Sequence, residues 1–479
     1  DTLSPHIVSS AMNYLGYDAV AMGNHDIEPG HSVFDKWGRE CKFPLIAANI
    51  ISDKTGEPYF KPYHVFTRAG LRIAVLGFTT PAIPQWVPAH LWEGLHFDDI
   101  LTSAAHWVPL IQQREKPDLL VVLMHSGLEN DNPDYLENAG RALANKGMGI
   151  DLLLIGHDHR QELEWIHPEG STTDSVLLLD RVADIQITVR KEGGRIISKQ
   201  LVPSFISLEG VEPDSVFLRH FAQEYAAVND YLATEVGELA SEVRGEDALF
   251  GTTPYMDVIH RMQLESVNAE ISFAAPLKTS AVLPAGKVYV RDLFKFCPFS
   301  NFLYAMQLTG REIRGYLEYS YAGWAATSIT EDGGLIRLRT GAQPTDKYKT
   351  FVPPYNYSAA QGIDYTVDLS KPEGERVTIL RLTGHSEPFD LNRTYRVAVN
   401  SYRAGGAGGM LTTGAGIAKE DLPKRIVGAT SHDQSYYLAE FFRRHKVVRP
   451  VDPKNWHFLP EDWAKAAAER SRAFLFPKK

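Results

Sequence analysis

The chain has 479 residues, of which 44% are hydrophobic and 23% charged, and its formal net charge is −10 at pH 7. That length exceeds one ordinary core, so two or three domains are expected. The acidic balance argues against a nucleic-acid polymer as partner, though not against a nucleotide held in one local basic pocket.

Only two cysteines occur, Cys41 and Cys297, which excludes a disulfide framework. No run of eighteen apolar residues is present, so no membrane span is expected. The start at Asp1-Thr2-Leu3, without methionine, reads as a fragment or processed form, in which missing targeting signals carry no information.

In chain order, residues 18–22, 44–48, 71–78, 118–124 and 151–155 are short apolar runs. They are too short for helices and are predicted as buried strands. Segments between them, such as 101–113, read as covering helices, giving an α/β layered domain. Polar motifs follow three of the runs directly: Gly23-Asn24-His25-Asp26, Met124-His125-Ser126-Gly127 and Gly156-His157-Asp158-His159. They therefore belong at the carboxyl ends of strands, where ligand sites in open α/β sheets gather.

From 176 to 202 the pattern becomes strand-like alternation, with Ile185, Ile187 and Val189 on one face; this predicts an antiparallel edge closing the domain. Glu212-Pro213-Asp214 opens a helical stretch with Asp214 as a cap, and Phe221, Tyr225, Val228 and Leu232 recur at helical spacing. This helix is predicted as a connector over 211–240, between a domain at 1–210 and another at 241–479. In the second domain the pattern predicts a helix over 255–265, mixed strands, a Gly/Pro-rich middle at 333–354, and helices over 434–445 and 462–473.

The chemistry starts from ligand type. Imidazole nitrogen and amide oxygen, with no thiolate, suit zinc, manganese, iron or cobalt. Gly-His-x-His places two imidazoles two residues apart in a loop, while Asn24 and His125 offer donors from other strand ends. Two such metals about 4 Å apart would clamp phosphate oxygens and lower the pKa of bound water toward neutrality. Alone, an Asn-His pair most often marks a turn, and Gly-His-x-His and His-Ser-Gly more often do than not; their order, each closing an apolar run in one domain, is what points to a site. His6, His31, His90 and His96 read as surface or core residues.

These motifs resemble those of the calcineurin-like metallophosphoesterases, and more narrowly of the bacterial 5′-nucleotidase and 2′,3′-cyclic-nucleotide phosphodiesterase family, over nearly the whole chain. The resemblance implies an N-terminal layered αββα-type domain, a C-terminal α+β substrate-binding domain and two divalent metal ions. It further implies that Asn24, His125 and His157 bind one metal and His159 the other. His25 would face the phosphate, held by Glu28; Glu28 also reads as a cap for a helix after Pro29. A protonated imidazole near the leaving oxygen would offset developing charge. The family's first two motifs, Asp-x-His and Gly-Asp, have no counterpart in the sequence. The expectation is that about 30 residues or more of strand, crossover and strand carrying them lie upstream.

In the second domain, Lys295-Phe296-Cys297-Pro298-Phe299-Ser300-Asn301 and Asn400-Ser401-Tyr402-Arg403-Ala404-Gly405-Gly406 resemble the family's two aromatic segments. The resemblance implies that Phe299 and Tyr402 sandwich a base and that Asn301 bonds its edge; both aromatics otherwise read as core. Glycines beside Tyr402 let the backbone approach a ligand closely. Phe273-Ala274-Ala275-Pro276-Leu277-Lys278, Tyr402-Arg403-Ala404-Gly405-Gly406 and Tyr355-Asn356-Tyr357 are similar to the cyclic phosphodiesterase/3′-nucleotidase branch. Lys278 and Arg403 are candidate phosphate or ribose contacts, or else surface charges; arginine would make the better fork for phosphate.

The expected activity is hydrolysis of small nucleotides, 2′,3′-cyclic or 3′-phosphorylated. A 5′-nucleotidase or nucleotide-sugar hydrolase is the alternative enzyme, and a nucleotide-binding module with an incomplete metal site the alternative class. The family's architecture implies that domain rotation brings the base pocket to the metals, and that the protein is periplasmic or at the cell surface. Metal identity, base preference and oligomeric state do not follow from the sequence.

Overall fold

Alternation along two strands sets the first layers. Leu71–Thr79 and Leu119–His125 send Ala74, Leu76, Phe78, Leu120, Val122 and Met124 to one face, and Val75, Val121 and Leu123 to the other. The first face packs on helix Ile100–Glu115 through Ile100, Ala104, Val108 and Ile111, residues spaced by four, four and three. Asp99 caps that helix by accepting from the Thr102 N–H, and Lys116 ends it in the left-handed region.

This is a computed structural model, and it describes residues 5–130, 136–158, 162–166, 171–175, 181–344, 346 and 349–477. Two compact units divide the chain between Glu224 and Tyr225.

In the N-terminal unit a six-stranded sheet has the order Tyr63–Arg68, Leu71–Thr79, Leu119–His125, Leu152–Ile155, Ser171–Ser175, Glu162–Ile166. The four inner strands run parallel, and both outer strands are antiparallel. On the second face lie a short parallel pair, Val20–Ala21 with Leu45–Ile46, and a long hairpin, Arg181–Glu192 with Arg195–Ser207. Ile46 and Leu201 join Val75, Val121 and Leu152 in one apolar cluster. Gly77 permits this close layering, because a Cβ there would stand 2.5 Å from the Ile46 carbonyl oxygen. Beyond the short pair, Met22 and Leu45 pack with Phe34 and Trp37 of helix His31–Glu40. The expected layered α/β domain is present.

Two expectations need correction. The alternation after residue 180 marks a separate hairpin on the sheet's face and not an edge of the sheet. Ile185 and Ile187 pack against the apolar cluster there, while Lys191 and Lys199 reach Asp118 and Asp151 at 2.7 and 2.6 Å. The predicted connector is two helices, Ser215–His220 and Ala222–Leu232, broken at Phe221 (φ −102°, ψ 19°). Asp214 does cap the first of them, accepting from the Val216 N–H at 2.7 Å.

The C-terminal unit is built on a five-stranded sheet of order Ala359–Gln361, Ile271–Ala274, Thr394–Asn400, Phe302–Thr309, Ile426–Asp433. Ile271, Phe273, Met306, Leu308, Val397 and Val399 face helix Gly310–Trp324, with Phe273 stacked on Tyr316 at 4.0 Å. Ala274, Leu303, Ala305 and Ala398 face helix Pro254–Val267. Register fixes what gathers at one edge of this sheet. Ala274 pairs with Ala359, Leu303 with Asn400 and Phe302 with Asp433, and the Ile271–Ala274 strand runs parallel to Thr394–Asn400. Strand ends at Ala274, Asn400 and Asp433 and strand starts at Phe302 and Ala359 therefore share that edge.

Candidate active site

The short Val20–Ala21 strand leads through Met22 into Gly23, which precedes a one-turn helix, Asn24–Ile27. The Gly23 N–H donates to Asp26 Oδ2 at 2.8 Å, closing the turn. Gly23 must lack a side chain, because a Cβ there would meet the His125 ring at 2.9 Å. That clearance lets buried Asn24 bring Oδ1 to 2.8 Å from His125 Nε2. His125 and His157 have ring centroids 5.2 Å apart, and His157 lies stacked on Trp86 at 5.4 Å.

Three of the four expected ligands thus converge from three strand ends. The fourth, His159, lies outside the described residues. Among the described residues, no three His, Cys, Asp or Glu side chains are grouped as a metal site. The donors that do converge, one amide oxygen and two imidazoles, fit part of the shell of a borderline divalent cation in kind.

The His25 side chain is 60% exposed, and its Nδ1 lies 2.8 Å from Glu28 Oε2. The hydrogen bond to Glu28 raises the His25 pKa, against the opposing effect of desolvation. Asp26 beneath it is pushed up to about 6, chiefly by burial. Of the two readings of Glu28, the geometry realises the pairing with His25; the next helix begins after Gly30.

Sequence reasoning missed the segment that braces His125. The Glu137 carbonyl accepts from Ser126 Oγ at 2.8 Å and Thr80 Oγ1 at 2.9 Å, while the Thr80 N–H donates to the His125 carbonyl. The Gly127 N–H donates to Asn138 Oδ1, and the Leu128 N–H to Asp158 Oδ2. Glu137 also places Oε1 3.0 Å from His157 Nε2. No periodicity marks these residues, since tertiary contact alone brings them in.

In the C-terminal unit the expected ligand residues lie in segments that adjoin strand ends at the shared sheet edge. Phe299 is 40% exposed just before the Phe302 strand, and the Asn301 carbonyl accepts from the Gln434 N–H. Lys278 is exposed beyond Ala274. Tyr402 and Arg403 follow Asn400, whose side chain accepts from the Arg403 N–H at 2.9 Å.

Arg403 is only 3% exposed. Its guanidinium donates to Asn356 Oδ1 at 3.0 Å, the Ala407 carbonyl at 3.1 Å and the Tyr355 carbonyl at 2.5 Å. These bonds use three of its five N–H donors. The glycine-rich loop wraps it closely: at Gly408 (φ +77°), a Cβ would lie 2.2 Å from Arg403 Nη1. Asn356 also accepts from the Tyr402 hydroxyl at 3.3 Å, and Tyr355, 44% exposed, stands edge-on to Tyr402.

A family profile described as 5′-nucleotidase, C-terminal domain, matches residues 226–414. The chain is 23% identical over 518 residues to a 2′,3′-cyclic-nucleotide 2′-phosphodiesterase/3′-nucleotidase of Yersinia enterocolitica, covering 94% of this chain and 76% of that protein. A Staphylococcus aureus protein solved in complex with alpha-ketoglutarate superposes with a TM-score of 0.75 at 21% identity, covering 95% of this chain and 86% of the other. A 5′-nucleotidase precursor from Thermus thermophilus gives a TM-score of 0.61 at 20% identity, again over 95% and 86%. Residues 226–414 thus carry a 5′-nucleotidase C-terminal domain, and over nearly its whole length the chain is similar to a cyclic-nucleotide phosphodiesterase/3′-nucleotidase and shares the two-domain fold of these solved structures.

Proposed function

We propose that this protein is a hydrolase of small nucleotides, acting on the phosphate esters of 2′,3′-cyclic nucleotides and 3′-nucleotides with two divalent metal ions. The convergence of Asn24, His125 and His157 from three strand ends carries this reading. Those side chains would hold metal, joined by His159 according to the family resemblance. Bound there, the ions polarise phosphoryl oxygens and acidify water.

The chain's own residues supply the rest. The bond from Nδ1 to Glu28 raises the His25 pKa and so favours the imidazolium, whose Nε2 proton would go to a leaving oxygen. Its exposure leaves that nitrogen accessible to substrate. At the other unit's sheet edge, Phe299 and Tyr402 offer aromatic faces for a base, Asn301 a hydrogen bond and Lys278 a point charge. Arg403 serves there as a positioning residue beneath Tyr402 and Tyr355.

The likeness to the Yersinia protein and the segments 273–278 and 402–406 favour the cyclic and 3′ substrates. Assays of the full-length protein with 2′,3′-cyclic AMP, 3′-AMP, 5′-AMP and UDP-glucose, with manganese, test the choice; a strong preference for 5′-AMP would overturn it. The second reading, a nucleotide-binding module, draws on the C-terminal sheet edge alone, where Phe299 and Tyr355 are exposed. It predicts saturable nucleotide binding without manganese-stimulated turnover. Among the described residues no helix is long and apolar enough to cross a membrane. A periplasmic or cell-surface location belongs to the proposal and is testable by cell fractionation.

A further inference from the structure

We infer that Glu137 is a positioning residue for His157, holding the Nε2 proton of its imidazole so that Nδ1 presents a lone pair to a divalent cation. The inference rests on the reading of His157 as a metal ligand. A neutral imidazole has one N–H and one lone pair, and an ionised carboxylate only accepts. With Glu137 Oε1 3.0 Å from His157 Nε2, the N–H belongs on Nε2 and the lone pair on Nδ1. Ligating histidines commonly donate their second ring N–H to a carboxylate in this way, which orients the ring and raises its basicity.

Three further observations show that the arrangement is built. The Glu137 backbone is fixed through its carbonyl to Ser126 and Thr80, and its N–H donates to Asn130 Oδ1 at 2.9 Å. Its carboxylate is therefore held in register with the His125 loop. Trp86 lies against the His157 ring at 5.4 Å with 25° between planes, which restricts ring rotation. His157 has φ +98°, a conformation that a residue with a Cβ keeps only where its surroundings over-determine it. Glu137 and Trp86 supply that determination from two sides. Sequence spacing shows none of this, since twenty residues separate Glu137 from His157.

The test is manganese(II) titration by calorimetry of the full-length protein, with any upstream segment included, as wild type, Glu137→Ala and Glu137→Gln, with thermal melting of each in excess chelator. Glu137→Ala is expected to weaken manganese binding about 10–100-fold. Glu137→Gln keeps an acceptor for the Nε2 proton and is expected to recover most of that affinity, with all three melting alike in chelator. Wild-type affinity in Glu137→Ala overturns the inference, as does a Gln variant no better than Ala. Equal losses of affinity accompanied by lower melting in chelator also overturn it, by assigning Glu137 to the fold. If the wild type binds no manganese, the metal-site reading itself fails, an outcome distinct from the other three.

Discussion

The two candidate regions are assembled by opposite strategies. In the N-terminal unit the chemistry-bearing side chains bond directly to one another: Asn24 to His125, His157 to Glu137, His25 to Glu28. In the C-terminal unit the side chain with the strongest hydrogen-bonding capacity, Arg403, bonds to the protein itself, beside an exposed Tyr355 and a half-buried Tyr402. In the first region a single substitution should remove a step of the reaction. In the second it should change the shape of a surface, and so stability or affinity.

The largest expected effect tests the first half of that contrast. His25→Asn removes a proton donor and should lower kcat about 10²–10⁴-fold with little change in KM; steady-state kinetics on the preferred nucleotide measures it. An equal loss shared between kcat and KM would make His25 a binding residue.

Arg403→Met tests the second half. Three donors vanish, and the Tyr355 and Ala407 carbonyls and Asn356 lose a charged partner, so urea unfolding should show a loss of about 2–4 kcal/mol. Unchanged stability with a raised KM would instead return Arg403 to the role of phosphate contact.

Tyr402, half-buried, should act through its ring. Tyr402→Ala is expected to raise KM by the equivalent of about 1–3 kcal/mol of stacking. Tyr402→Phe should cost less, since it keeps the aromatic ring and removes the hydroxyl that bonds Asn356 at 3.3 Å.

Two histidines give the smallest and sharpest contrast. The exposed His25 has its pKa raised by Glu28, whereas burial pushes that of His260, bonded through Nδ1 to Ser272 Oγ, down to about 3. Between about 3 and 6.5 the unfolded chain protonates this imidazole and the folded chain does not, so stability rises with pH through that window and its contribution is complete above 6.5. Below 6.5 the wild type should lose about 1.4 kcal/mol per pH unit more than His260→Gln. Urea unfolding between pH 7 and 4.5 checks the slope.

Much of the framework was legible because apolar periodicity reports burial directly. Helix Gln434–His445 matches its expected span, and the strands ending at His125 and Ile155 fall where the runs end. The motif residues Asn24, His125 and His157 lie together because each follows a strand of the same layered unit. The failures share a physical origin. Alternation at Ile185 and Ile187 reveals a buried face but not whether that face lies in a sheet or upon one. A helical pattern through Phe221 does not show the break there. Charge type alone does not show that Arg403 bonds Asn356 and two carbonyls, and nothing local distinguishes Glu137 from any loop carboxylate.

The shared edge of the five-stranded sheet has a consequence for folding as well as for recognition. Its loops come from chain positions as distant as Lys278 and Gln434, each from a different strand. A molecule bound across them would act as a non-covalent cross-link between remote stretches of chain. Its binding energy would then add to the stability of the whole unit by mass action, so occupancy would be readable as resistance to unfolding and proteolysis even where no turnover occurs.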